Sequence, residues 1–97
     1  MKITLRGIDH TLAYNLRARI LFENIADRSF SLATTTDWVM FVYSMLLSGS
    51  KDAEITLDEF IDEIGTVQLN KAISWATEQM KVEDQLLKKD VDSKKKP

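Results

Sequence analysis

The sequence contains no cysteine, a single histidine and a single proline in 97 residues. Without cysteine, a disulfide-linked scaffold and a zinc site with thiolate ligands are both excluded. The longest apolar stretch, residues 38–47, spans only ten residues and is interrupted by Ser44, whereas a membrane-spanning helix needs about 20. The residues after Met1 alternate between apolar and polar instead of forming a signal peptide. We therefore expect one soluble, cytoplasmic domain, too small for most multi-step enzymes.

Charge is distributed unevenly along the chain. The formal net charge is −2, yet residues 88–97 contain five lysines and two aspartates, so the preceding residues carry −5. Residues 52–63 contain six acidic side chains and no basic one. Proteins that bind nucleic acid normally present a basic face on the folded part of the chain. The sequence thus argues against nucleic acid as the main partner.

The first residues have the pattern of a β-hairpin. Ile3 and Leu5 alternate with polar residues, Gly7 and the residues up to His10 supply the turn, and residues 11–13 form the returning strand. A two-stranded hairpin is marginally stable in water, so it must pack on other elements. The sequence predicts an α+β fold, mostly α, with a hairpin at about 2–13.

Four helices are predicted after the hairpin, at about 15–27, 36–48, 57–64 and 67–88. Asn15 is the expected cap of the first. Thr34 with Asp37 fits a capping box for the second, with Thr35 or Thr36 as alternative caps, and Thr56 with Glu59 fits one for the third. The second helix is apolar nearly all round, which is typical of a buried central helix. We expect Gly49 to end it in the left-handed conformation. Gly65 and the residue after it separate the third helix from the fourth.

The final predicted helix is long relative to the body of the protein. About 22 residues extend roughly 33 Å, so its last turns either contact another chain or fold back on the core. The first alternative predicts self-association, with truncation after about Met80 giving monomers. The expected contact residues are Trp75, Met80, Val82, Leu86 and Leu87. Residues 1–88 form the predicted domain, and residues 89–97 are predicted to be a disordered basic tail.

Three groups of residues suggest chemistry, and each also has a structural interpretation. Residues 48–59 approach the spacing of a calcium-binding EF-hand loop, with Glu59 in the last ligand position, but Ser48 and Ser50 stand where carboxylates are expected and Ala53 where glycine is expected. His10 has no evident catalytic partner.

The third group is a run of acidic residues on one predicted helix. It forms a solvated helix face, an acidic patch for a basic partner or, less favoured, a metal or acid–base site. Its members are Asp58, Glu59, Asp62 and Glu63. The sequence also contains no phosphate-binding loop or nucleophile motif. We expect a protein without catalytic residues, cofactor or metal.

Four segments, in their order and in their pattern of apolar and polar residues, resemble the sequences of a known family. A short hairpin, KITLRGIDHTLAYNL, leads into a helix ending FENIADRSF, followed by WVMFVYSMLLSGS and ITLDEFIDEI. Over about residues 2–65 the chain is similar to the small tail assembly chaperones of long-tailed bacteriophages, especially those of Gram-positive or gut hosts.

The resemblance implies a non-enzymatic protein in the cytoplasm of the host bacterium. Such chaperones bind the tape-measure protein, a long, helical, aggregation-prone chain that sets tail length. They keep it soluble while tail-tube subunits assemble around it, and they are absent from the mature virion. Two alternatives remain open: an oligomeric phage or bacterial adaptor without a tape-measure client, and a small helical transcription regulator.

In many of these phages a ribosomal frameshift near the end of the gene also produces a longer, fused form. This longer form is the one expected to bind the tail-tube protein. The chain here ends in Lys94, Lys95, Lys96 and Pro97. Lysine codons are rich in adenine, and a run of adenines favours slippage. The alternative interpretation of this tail is a solubilising basic segment.

Overall fold

The N-terminal hairpin is confirmed, with a tighter turn than the pattern predicts. The computed structural model describes the backbone of residues 1–95 and the side chains of residues 1–86. Strand β1, Lys2–Leu5, pairs antiparallel with β2, Ile8–Thr11. Arg6 and Gly7 alone form the turn, with φ values of 52° and 77°. Two residues with positive φ match the natural twist of a hairpin, so the returning strand begins at Ile8 and not at residue 11.

Three helices follow, each begun by the expected capping residue. Helix α1 is Leu16–Ala26, α2 is Thr35–Gly49 and α3 is Leu57–Lys95. The Asn15 side chain accepts a hydrogen bond from the Ala18 N–H at 2.9 Å. Capping boxes join Thr34 to Asp37 before α2, and Thr56 to Glu59 before α3. These side chains satisfy backbone N–H groups that lack partners in the first turn of a helix.

The prediction of four helices is wrong, because the two C-terminal segments form one kinked helix. Gly65 alone departs from helical geometry inside α3, with φ 72° and ψ 155°. That region of backbone conformation is essentially restricted to glycine. The helical pattern resumes directly afterwards, so the break lies at the predicted residue but is a kink within α3.

The expected role of Gly49 is also wrong. Gly49 is the last residue of α2 and does not have a positive φ. Its importance lies in close packing: a Cβ added there would lie against the Thr11 carbonyl oxygen and 2.8 Å from the Ala13 nitrogen. The missing side chain therefore lets the chain leaving the hairpin pass directly over the end of α2.

Helix α2 occupies the centre of the core, as the apolar pattern predicts. Its buried apolar residues are Phe41, Val42, Tyr43, Met45 and Leu46. Phe41 contacts three further aromatic rings edge-on and Trp38 at a centroid distance of 6.4 Å. Trp38 is itself only half-buried. The hairpin contributes Ile3 and Leu5, and α3 contributes Phe60 and other residues as far as Ala76.

Polar contacts hold both edges of the hairpin against the helices. The Gln68 side chain pairs with β1 as another strand would: it accepts from the Thr4 N–H at 2.7 Å and donates to the Thr4 carbonyl at 2.8 Å. On the other edge, the Thr11 N–H donates to Ser50 Oγ at 2.8 Å. These contacts stabilise a two-stranded hairpin that has no third strand.

Candidate partner-binding surface

The described part of α3 ends near α1, where an ion pair links the two helices and each helix carries exposed apolar side chains. Arg19 Nη1 lies 3.9 Å from Glu83 Oε1. Four large apolar side chains lie within about one helical turn of this pair along their own helices. We call them the α1–α3 patch: Leu16, Ile20, Val82 and Leu86.

The exposure of this patch distinguishes it from the core. Leu16 is 72% exposed and Leu86 60%, while Ile20 and Val82 are each about half exposed, at 48% and 52%. Isolated exposed apolar residues are common on protein surfaces, but groups of them often mark interaction sites. The α1–α3 patch is therefore a candidate surface for another chain.

The structure separates the contact residues expected from the sequence into two kinds. Val82 and Leu86 are exposed, whereas Trp75 and Met80 are half-buried and pack against the core. The first two are thus available to a partner, and the other two have most of their surface occupied within the fold. Leu87 lies outside the residues whose side chains are described, as does the tail predicted at residues 89–97.

Helix α1 also contributes to this surface, which the sequence pattern did not predict. Leu16 and Ile20 form a second apolar row on α1, separate from the row that contains the buried residues Ala18 and Phe22. A helix with a second apolar row has more apolar surface than one core contact uses. Leu16 and Ile20 border a shallow, open hollow of about 450 Å³ whose lining residues all belong to α1.

Glu83 also lies close to Tyr14 in the body of the protein. Burial of the Tyr14 hydroxyl raises its pKa, and the nearby Glu83 carboxylate raises that pKa further. The Tyr14 ring in turn packs edge-on against Phe41 at 6.0 Å. The position of α3 near Glu83 is therefore linked to the core through Tyr14.

Arg6 forms ion pairs with two of the four acidic residues at the start of α3, which the sequence pattern did not predict. Arg6, in the hairpin turn, lies 3.0 Å from Glu59 and 3.2 Å from Glu63. The pKa of Glu59 is lowered first by the hydrogen bond from the Thr56 N–H, then by the Thr56 hydroxyl and by Arg6. Glu59 and Glu63 therefore join the hairpin to α3.

Asp58 and Asp62 have a different environment from the other two acids. Both are exposed, and neither forms an ion pair among the described side chains. They are the members of the expected acidic patch that a basic partner would meet.

The residues with EF-hand spacing make structural contacts. Ser48 donates to Asn15 Oδ1 at 2.7 Å, and Ser50 donates to the Thr11 carbonyl at 3.0 Å. Within the described residues, no cluster of three or more histidine, cysteine, aspartate or glutamate side chains is arranged to hold a metal. His10 lies in β2 opposite Ile3.

No helix in the described part of the chain is both long enough and apolar enough to cross a membrane. Comparison of the sequence and fold with protein-family models, curated proteins and solved structures finds no match.

Proposed function

We propose that this chain is a non-enzymatic tail assembly chaperone that binds the tape-measure protein in the host cytoplasm. It keeps this client soluble while tail-tube subunits assemble, and it is absent from the mature virion. Two things support the proposal: the resemblance of residues 2–65 to that family, and the exposed α1–α3 patch. The patch is the single structural observation that carries it.

A helical client suits this surface for a physical reason. Amphipathic helices bind by laying apolar residues spaced three or four apart into an apolar groove. Leu16 and Ile20 are spaced by four residues on α1, as are Val82 and Leu86 on α3. Burial of one large apolar side chain contributes about 1.5–3 kcal/mol before the costs of association are subtracted. Four such residues contribute a total of the same order as the cost of association, which favours a reversible complex over a permanent one.

The test is co-expression of the chain with the tape-measure protein encoded by the same genome. We expect the two to co-purify and the client to remain in the soluble fraction. Val82→Lys places a charge in the α1–α3 patch and should abolish co-purification, while the exposure of Val82 allows the fold to persist.

Val67→Lys is the matched control. Val67 is also a valine of α3 and is 69% exposed, but it lies outside the patch. We expect this variant to bind the client as the unmodified chain does. Equal binding by both variants would remove the patch from the proposal. A soluble oligomer that never retains the client would favour the adaptor function, and a salt-dependent shift of DNA in a gel would favour the regulator.

The lysine run supports a second product of the same gene. We propose that slippage near Lys94–Lys96 yields a longer fused form that recruits the tail-tube protein. Expression of the native gene with its downstream DNA, followed by mass spectrometry, should reveal a minor product sharing residues 1 to about 95. Detection of the 97-residue form alone would leave a chaperone with a single form.

A further inference from the structure

A second apolar surface lies at the opposite end of α3 from the α1–α3 patch. A groove of about 210 Å³ runs between the first turns of α2 and α3. Its lining, which we call the α2–α3 groove, consists of Thr35, Thr36, Val39, Met40, Leu57 and Ile61. Ile61 is 50% exposed, so the groove has room for an apolar side chain from outside the fold.

Asp58 and Asp62, which have no ion-pair partner among the described side chains, lie along the α3 side of this groove. Asp58 and Asp62 directly follow Leu57 and Ile61, so they form the adjacent row on the helix, about 100° around its axis. Arg6 pairs with Glu59 and Glu63 but reaches neither aspartate. An occupant of the α2–α3 groove therefore has to combine apolar side chains with positive charge.

The chain itself contains a segment with this chemistry. Residues 87–96 contain Leu87 and Val91 together with five lysines and two aspartates. The net charge of this segment is positive, opposite to the charge of Asp58 and Asp62 beside the groove. Complementary charge between two surfaces both steers their encounter and fixes their orientation.

This segment cannot reach the groove of its own chain. The groove is formed in part by the first residues of α3, and four of the five lysines, within residues 88–95, lie at the other end of the same helix. After the kink at Gly65, α3 continues without a further break to Lys95, a length of roughly 45 Å at 1.5 Å per residue. The molecule is accordingly elongated, 55 Å long and about 25 Å wide. Only another copy of the chain can bring the two surfaces together.

We propose that the chain self-associates head to tail, with the lysine-rich end of α3 from one copy bound in the α2–α3 groove of the next. Leucine and valine side chains enter the groove, and lysines pair with Asp58 and Asp62. The two surfaces differ, so each copy binds one neighbour through its α2–α3 groove and another through its lysine-rich end. A contact of this kind generates a ring or an open chain of subunits. The proposal does not depend on the tape-measure client.

The test uses the purified full-length chain without any client. Sedimentation and light scattering at about 0.05 M salt should show concentration-dependent association, which weakens by about tenfold or more at about 0.5 M salt because charge pairs are screened. Asp58→Lys combined with Asp62→Lys should abolish association. Asp52→Lys combined with Glu54→Lys changes the net charge equally at exposed positions outside the groove and should leave most association intact.

Charge exchange makes the test specific. A variant with Lys94, Lys95 and Lys96 changed to glutamate should be monomeric, as should the Asp58→Lys, Asp62→Lys variant. A mixture of the two should associate, because each end then meets opposite charge. Circular dichroism establishes that each variant is folded.

Three results would overturn the proposal. The first is a chain that stays monomeric at low salt and high concentration. The second is association that persists in both charge-reversal variants. The third is an equal loss of association in the Asp52→Lys, Glu54→Lys control. Since no client is present, these outcomes are independent of whether the chain binds a tape-measure protein.

Discussion

At the residue scale, a single side chain decides whether two backbone segments can pack closely or whether a buried charge has hydrogen-bond and ion-pair partners. Gly49 and Asp37 illustrate the two cases. The first matters because it has no side chain, and the second because its carboxylate is almost fully buried.

Gly49→Ala should destabilise the fold. The new Cβ would lie 2.8 Å from the Ala13 nitrogen and against the Thr11 carbonyl, and backbone atoms cannot move aside as a flexible side chain can. Overpacking of this kind costs about 1–3 kcal/mol. Urea denaturation followed by circular dichroism measures the loss, with Lys51→Ala as an exposed control. An unchanged midpoint for Gly49→Ala would show that the hairpin and α2 separate easily.

Asp37 should make the fold sensitive to acid. Hydrogen bonds from the Ala33 and Thr34 N–H groups lower the pKa of Asp37, and the Arg28 guanidinium lowers it further. A carboxyl whose pKa is lowered by folding stabilises the native state above its ordinary pKa of about 4, and that contribution disappears as the pH falls through the folded value.

Asp37→Asn should therefore be less stable than the unmodified chain at pH 7, since the charge that the N–H groups and Arg28 favour is removed. The difference between the two proteins should shrink as the pH is lowered below about 4. Thermal denaturation across a pH series provides the measurement. A difference that stayed constant with pH would mean that the Asp37 charge does not contribute.

At the element scale, the kink in α3 allows one helix to serve two surfaces. Residues before Gly65 contact α2 and Arg6, while Gln68 just after it pairs with β1. The kink therefore lies between the residues of α3 that meet Arg6 and the residue that pairs with β1.

Gly65→Ala should weaken the docking of α3. A Cβ at this position meets no atom within 4 Å, so the penalty comes from the backbone conformation alone. Holding a non-glycine residue there costs about 1–3 kcal/mol. The unfolding midpoint should fall, and protection of the Thr4 amide from hydrogen exchange should decrease as Gln68 moves. The neighbouring change Thr66→Ala should affect neither quantity.

At the scale of the whole molecule, the core is complete well before the chain ends. The last buried residue among the described side chains is Ala76, and the half-buried Met80 still packs against the core. Beyond it, Glu83 provides the anchor to Arg19 and Tyr14. The later part of α3 thus adds surface for partners more than it adds core.

A chain truncated after Met80 should fold and unfold cooperatively, with a modestly lower thermal midpoint because the Glu83 contacts are lost. It should also be monomeric and fail to retain a client, since it lacks Val82, Leu86 and the lysines. Light scattering and thermal denaturation test these outcomes together. An oligomer that persisted would place the contact between copies elsewhere than on the last part of α3.

The sequence alone determined the features that depend on neighbouring residues. Alternation identified the hairpin, and the side chains at Asn15, Thr34 and Thr56 identified the helix starts, because a cap binds backbone groups only two or three residues away. The continuous apolar character of α2 likewise identified the centre of the core.

Tertiary structure decided the rest. The tight approach at Gly49, the pairing of Arg6 with Glu59 and Glu63, and the contact of Gln68 with Thr4 join residues far apart in the chain, by 64 positions in the last case. Packing also decided which apolar rows were covered: the core half-buries Trp75 and Met80 but leaves Leu16 and Ile20 exposed. Local patterns show which faces are apolar, but only the relative placement of helices determines which of those faces meet another.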